Sequence, residues 1–267
     1  MLVSVDADVT VVMTTYNNFD FTMASVWAIR RFFPTMKIIL ADGGSDLDVI
    51  YKTKEYIRLH DKNCIFTLYD GIPIEDYRNA SAALVDTKYI LFMDNDAKML
   101  AKGSLLMLVD ILEKDDSVAE CGAYGIVISD RNKMISFVGT EYTESMLVSA
   151  SSCYFALHRT SAYREVGGMP KEWLYKLPKE FIKDPPGYSG DFCISRLYYE
   201  NGYTVKTPVS KVPLVHWGRT TIWFNDKRKI DEWWYKNVIH DRYDPLNDCI
   251  KNLEGWGKEN NYGWKFT

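Results

Sequence analysis

A chain of 267 residues, 47% hydrophobic and 25% charged, is long enough for one large globular domain with a sizeable core. Its net charge of −4, with acids and bases interspersed, excludes a nucleic-acid backbone as the default partner. No run approaches the ~20 apolar residues of a membrane helix, and the two acids within MLVSVDAD do not fit a secretory leader. The expectation is a cytoplasmic protein without a transmembrane span, peripheral membrane contact being left open. Five cysteines (64, 121, 153, 193 and 249) are widely spaced with no Cys-x-x-Cys pair, which argues for reduced, buried thiols.

The first half alternates. Strand-like VTVVMTTY (9–16) leads into a helical stretch over about 20–33, then strand-like KIILADGG (37–44) and helical LDVIYKTKEYIRLH (47–60). Strand-like IFTLYD (65–70), helical IEDYRNASAALVD (74–86) and strand-like YILFM (89–93) continue the pattern. Asp46 and Gly103-Ser104 are start signals for helices at 47 and over 104–114. Apolar strands alternating with amphipathic helices predict an α/β fold with a mainly parallel, doubly wound sheet. Ligands of such sheets bind beyond the carboxyl ends of the strands. Thr15-Tyr16-Asn17, Asp42-Gly43-Gly44 and Asp94-Asn95-Asp96 therefore gather at one rim.

The second half is less regular. VAECGAYGIVI (118–128), MISFVGT (134–140) and SCYFALH (152–158) read as strands with antiparallel pairing. RTSAYREVGGMP (159–170) reads as a short helix ended by Gly167-Gly168, and 173–189 as a loop. Helix-like DFCISRLYYENG (191–202) and strand-like VPLVHWG (212–218) follow, then a helical stretch over about 229–240 and an irregular tail. Aromatics crowd this end, from a total of 8 Trp and 18 Tyr. Trp173, Tyr175 and Tyr188 lie in 173–189, where aromatics suit a wall for flat or sugar-like ligands and a packed loop equally well.

Asp94 and Asp96 flank Asn95 where an apolar strand emerges. Like charges at that spacing repel unless something positive lies between them. A divalent cation is such a charge, hard oxygen ligands suiting Mg²⁺ or Mn²⁺; the plain alternative is a polar strand-end turn that caps the helix after it.

VTVVMTTYN, ADGGSD, YRNASAAL, YILFMDNDA, FALHRTSAYREVGGM, GDF and His216 follow one another over about 9–218. In this order they resemble a GT-A glycosyltransferase, nearest to the inverting family 2 type with its Asp-x-Asp motif. The resemblance implies a Rossmann-like, nucleotide-diphospho-sugar transferase fold over 1–218. Its nucleotide-binding half is about 1–115 and its acceptor half 116–218; residues 219–267 lie outside the resemblance and read as an aromatic, charged helical extension.

The function so implied is metal-dependent transfer of a sugar from a nucleotide-diphosphate donor, UDP-linked before GDP-linked, to an acceptor hydroxyl. The resemblance gives Asp96 the direct metal contact, with Asp94 on the ribose hydroxyls or on the ion through water. His216 completes the metal site, and an imidazole there tilts the choice towards Mn²⁺. Asp42 accepts a hydrogen bond from the base, Gly43 lets the backbone approach, Tyr16 stacks on the base, and Thr15 and Asn17 complete the entry motif. Arg78 points to phosphate and Asn79 to the ribose or sugar, while Asn95 lies with the nucleotide-sugar contacts. The match of Asn79-Ala80-Ser81 to a glycosylation pattern is then accidental. Asp191 is the general base, although Gly190-Asp191-Phe192 departs from the Glu-Asp or Asp-Asp of many relatives. The bland roles stay in view: Asp42 as an Asx-turn, Arg78 as a solvated helix face, Asp191 as a first-turn acid. A retaining GT-A enzyme, a sugar-phosphate nucleotidyltransferase (disfavoured, because TTYNNFD is not a Gly-rich basic loop) and an inactive binding module are the alternatives.

Overall fold

A computed structural model describes residues 5–128, 134–137, 145–147, 150–151, 153–170, 189–208 and 212–216. All of them lie within the compact unit Met1–His216. Of the expected loop 173–189 only Ser189 is described, and it is helical; residues 173–188 and the extension 219–267, with its helical stretch at 229–240, lie outside the described residues.

After a single turn, α1 (Val5–Asp8), four parallel strands form one side of the main sheet: β1 (Val9–Thr15), β2 (Lys37–Asp42), β3 (Cys64–Leu68) and β4 (Tyr89–Asp94). Alternation at period two divides each strand between two cores. Val11 and Met13 join Ile38, Leu40, Leu91 and Met93 in one. Val12 joins Ile39, Ile90 and Phe92 in the other. The first core is covered by α2 (Phe19–Phe32, through Val26 and Ile29) and α5 (Gly103–Lys114, through Leu105 and Leu108). The second receives Ala82 of α4 (Ile74–Ala82), Ala162 and Tyr163 of α6 (Thr160–Glu165), and Ile194 and Tyr198 of α7 (Ser189–Glu200). Residues 47–60 form α3 as expected.

Beyond β4 the sheet changes sense. β11 (Phe155–Arg159) runs antiparallel to β4 and to β6 (Val118–Gly122), β12 (Thr204–Pro208) is parallel to β6, and β9 (Ser145–Leu147) closes the edge. The order is β3-β2-β1-β4-β11-β6-β12-β9. The stretch 118–128, expected as one strand, is two: β7 (Gly125–Ile128) leaves for a second sheet with β8 (Met134–Phe137) and β10 (Ala150–Ser151). Gly122 is where the sheets touch, since a Cβ there would lie 2.5 Å from Ser151 Cβ. A side chain at that position would push the layers apart.

Five elements have no counterpart in the sequence reading: α1, β9, β10, β12 and the three-residue β5 (Ala97–Met99). β5 pairs with β13 (Leu214–His216) as a separate antiparallel ribbon. Helix α4 also stops at Ala82, short of 86, and β1 ends at Thr15 because Asn17 and Asn18 take left-handed conformations (φ 51° and 57°). No described helix is long and apolar enough to cross a membrane. Cys64, Cys121, Cys153 and Cys193 are buried, and burial pushes the Cys64 thiol up to about 12.

Candidate active site

Register alone brings the three polar clusters to one rim. Thr15 pairs with Asp42 across β1–β2, and Thr14 pairs with Asp94 across β1–β4. Asp94 Oδ1 accepts hydrogen bonds from Thr14 Oγ1 and Arg78 Nη2, both at 3.2 Å. Its other oxygen stands 3.8 Å from His216 Nε2, and Asp96 Oδ1 is 3.3 Å from the same nitrogen. One ligand atom from each of Asp94, Asp96 and His216 falls within 4.8 Å of the other two.

The β5–β13 ribbon makes this meeting possible. It sets His216 opposite Ala97, the residue after Asp96, and it is pinned where Leu100 N (3.0 Å) and Ser104 Oγ both donate to Pro213 O. The His216 ring lies flat on Tyr154, centroids 4.1 Å apart and planes 6° apart, which fixes the direction of Nε2. Burial opposes a charged imidazole here, but the hydrogen bond and charge of Asp96, with the charge of Asp94, outweigh it and raise the His216 pKa. Two carboxylates and an imidazole so arranged could hold a divalent cation.

Asn95 turns the other way. Its Nδ2 donates to Thr22 Oγ1 at 3.1 Å, and Ser25 Oγ donates to the carbonyls of Asn95 and Ala97 at 2.8 Å each. Helix α2 thus clamps the backbone of the acidic turn, so that Asp94 and Asp96 project together while Asn95 is buried between helix and sheet.

At the β2 exit, Asp42 is almost wholly buried. Its carboxylate accepts from Gly44 N (3.1 Å), Ser45 N (2.8 Å), Thr15 Oγ1 (2.9 Å) and Ser45 Oγ (2.6 Å). A carboxylate offers about four acceptor sites, so the protein itself engages this one fully. Ser45 Oγ also accepts from Asn17 N at 2.6 Å, and Asn17 Oδ1 accepts from Asp46 N at 2.8 Å. The entry motif and the Asp-Gly-Gly turn are therefore one hydrogen-bonded floor, with half-buried Tyr16 at its edge. Gly44 is obligatory in it: its φ is +99° and a Cβ would come 2.6 Å from Asp70 Oδ1. A Cβ at Gly43 would press on the Tyr77 ring at 3.3 Å.

Arg78 is not a solvated helix face. Its side chain is 5% exposed and reaches Asp94 from within the fold. Its neighbour Asn79 is held elsewhere. Asn79 Nδ2 donates to Met169 O at 2.8 Å, and its Oδ1 accepts from Met169 N (2.9 Å) and Tyr163 Oη (2.7 Å). The amide clasps the Gly167-Gly168-Met169 turn, and Gly168 leaves room for it. Asp191 is the third residue of α7, in its first turn, as the pattern around it suggests. Sequence reasoning missed Thr14, Ser45 and Tyr154. Thr14 is legible as the alternate residue of a strand whose neighbour was already singled out. Tyr154 carries no such signal.

A parallel sheet that turns antiparallel beyond β4, with an Asp-x-Asp turn at the β4 exit, defines the fold as that of the GT-A glycosyltransferases. Solved structures bear this out. GalNAc-T7 with UDP, GalNAc and Mn²⁺ is similar at a TM-score of 0.60 and 14% identity, over 96% of this chain and 58% of that one. The mannosyltransferase PcManGT of Pyrobaculum calidifontis, with GDP-Man and Mn²⁺, is similar at 0.56 and 14%, over 93% and 69%. S. aureus TarS with UDP-GlcNAc is similar at 0.56 and 12%, over 78% and 57%.

The chain belongs to glycosyl transferase family 2, whose pattern matches residues 10–165. Among curated proteins, beta-1,4 N-acetylgalactosaminyltransferase 1 is 33% identical over 111 residues in Rattus norvegicus and 29% identical over 113 in Homo sapiens. Each match takes in 42% of this chain, which spans only 19% of the length of those relatives.

Proposed function

We propose that this enzyme moves a sugar from a UDP-linked donor to an acceptor hydroxyl with inversion, using Mn²⁺ or Mg²⁺ held by Asp94, Asp96 and His216. The observation that carries the reading is the convergence of those three side chains at the rim, beside the buried Arg78. A divalent cation bound there offsets the charge that builds on the departing diphosphate.

The residues of the chain do the rest. Arg78 aims Asp94 through its hydrogen bond, and adds a fixed positive charge beside the phosphates. The Asn17–Asp42–Ser45 floor supports the base, with Tyr16 stacking on it. Asp42 serves the base by sharing an oxygen already bonded to the protein, so its first task is to hold the floor rigid. Asn79 serves the donor side indirectly, by holding the Met169 turn. Asp191 takes the proton of the acceptor hydroxyl as the new bond forms, a contribution of ~10²–10⁴-fold. Its place in the first turn of α7 favours the carboxylate, so proton transfer accompanies attack.

UDP-N-acetylgalactosamine is the donor to test first, on the strength of the curated relatives, with a GDP-sugar as the alternative. Thermal shift with UDP or GDP, with and without Mn²⁺, should show stabilisation by UDP that grows with Mn²⁺. Asp96→Asn should lose the Mn²⁺ increment, and Asp191→Asn should keep it while transfer falls ~10²–10⁴-fold. Equal UDP stabilisation with and without metal would overturn the cation site, and NMR of the product anomer separates inversion from retention.

A further inference from the structure

Outside the site lies a buried cluster of polar groups that the chemistry above leaves unused. Glu120, His158, Ser151, Ser195 and Tyr198 are all fully buried. β6 carries a bulge: Val118 pairs with Thr204 of β12 and Glu120 with Val205, leaving Ala119 extra. A bulge re-aims the side chains around it, and Glu120 emerges opposite His158 of β11 on the face that α7 covers. Its Oε2 accepts from Ser195 Oγ of α7 at 2.8 Å, and its Oε1 accepts from Ser151 Oγ of β10. His158 Nδ1 is 3.0 Å from Tyr198 Oη, also on α7.

Burying a carboxylate and an imidazole under a helix is a poor way to gain stability. Apolar residues of the same volume would hold the helix at least as firmly. Hydrogen bonds, unlike apolar contacts, are directional, and they fix a helix against sliding and rotation. Positions 191, 195 and 198 of α7 follow the i, i+4, i+7 spacing of one helical stripe. The stripe bolted to the sheet at Ser195 and Tyr198 is therefore the stripe on which Asp191 lies, one turn nearer the N-terminus.

We infer that Glu120 and His158 on the sheet, through Ser195 and Tyr198 on α7, set the axial position of α7 and so the place of Asp191. They are positioning residues, and the inference rests on Asp191 being the base. A misplacement of ~1 Å at a reacting group costs up to ~10²-fold in rate. Loss of one bolt should lower kcat without touching donor binding, which the opposite half of the sheet provides.

The test is a double-mutant cycle on the full chain, read in kcat, donor KM and Mn²⁺ affinity. Ser195→Ala is expected to lower kcat for transfer about tenfold, within the range for a small misplacement, with donor KM and Mn²⁺ affinity unchanged. Glu120→Gln should behave alike. Combined with Asp191→Asn, Ser195→Ala should have no further effect, because both act through one group. Should Ser195→Ala fail to fold, Tyr198→Phe, which removes only a hydroxyl, carries the same expectation. A wild-type kcat in the folded variants, or a full tenfold loss persisting in the Asp191→Asn background, overturns the inference while leaving Asp191 as base. An Asp191→Asn enzyme that transfers at the wild-type rate removes the base reading itself, and the inference with it.

Discussion

His158 offers the sharpest quantitative check on the buried cluster. Burial pushes its pKa from 6.5 down to about 3, and the positive charge of Arg78 adds to the effect. The groups around it are the Tyr198 hydroxyl, the Glu120 carboxylate 3.9 Å from Nε2, and the rings of Phe92 and Tyr163 at centroid distances of 5.1 and 5.8 Å. Glu120 stands at ion-pair distance, yet no hydrogen bond joins it to Nε2, so desolvation prevails and the ring is neutral. In the unfolded chain the imidazole takes its proton near 6.5, and in the folded chain only near 3. Acid therefore favours unfolding. The neutral ring's contribution is complete above pH 6.5 and is lost progressively as pH falls from 6.5 to 3. At about 1.4 kcal/mol per pH unit, the loss reaches about 2 kcal/mol by pH ~5 and about 5 kcal/mol when complete. Urea unfolding of the wild type and of His158→Leu at pH 7.5 and 5 would measure it, with the difference in pH slope as the readout. Equal slopes, or a wild type that gains stability in acid, would refute the argument and show that Glu120 keeps the proton on the imidazole.

Gly168→Ala should destabilise the protein by about 1–3 kcal/mol in denaturant titrations, because φ is +78° and the new Cβ would sit 2.5 Å from Asn79 Oδ1. A neutral result would mean that the clasp on Met169 is slack. Arg78→Gln should raise donor KM by about 10–100-fold, the value of one hydrogen bond to a charged group. Unchanged KM with lost stability would make Arg78 a structural counter-ion alone. Gly122→Ala should separate β10 from β6 at Ser151 and lower kcat with donor KM retained, as Ser195→Ala does. A raised donor KM would show that the strain spreads to the nucleotide half.

Much of this protein is written locally. The alternation of VTVVMTTY, KIILADGG and YILFM with amphipathic stretches between them determined the parallel half of the sheet. Local spacing is enough there because a buried parallel strand must be continuously apolar and its covering helices amphipathic. Polar residues at the ends of those strands had to share a rim, which is why Thr15, Asp42, Asp94 and Asp96 were legible without coordinates. Tertiary structure alone decided the rest. His216 reaches Asp96 only because a three-residue strand pairs with its segment, and three residues are too few to show a period. The resemblance assigns Asn79, Asn95 and Asp42 to the donor, but their partners within the protein (Met169, Thr22, Ser45) are mostly far along the chain, and no local pattern reports such hydrogen bonds. Arg78 and Glu120 have the composition of a surface and the burial of a core. A charge becomes tolerable inside only when donors or acceptors from other elements arrive around it, and that arrival is a property of the fold.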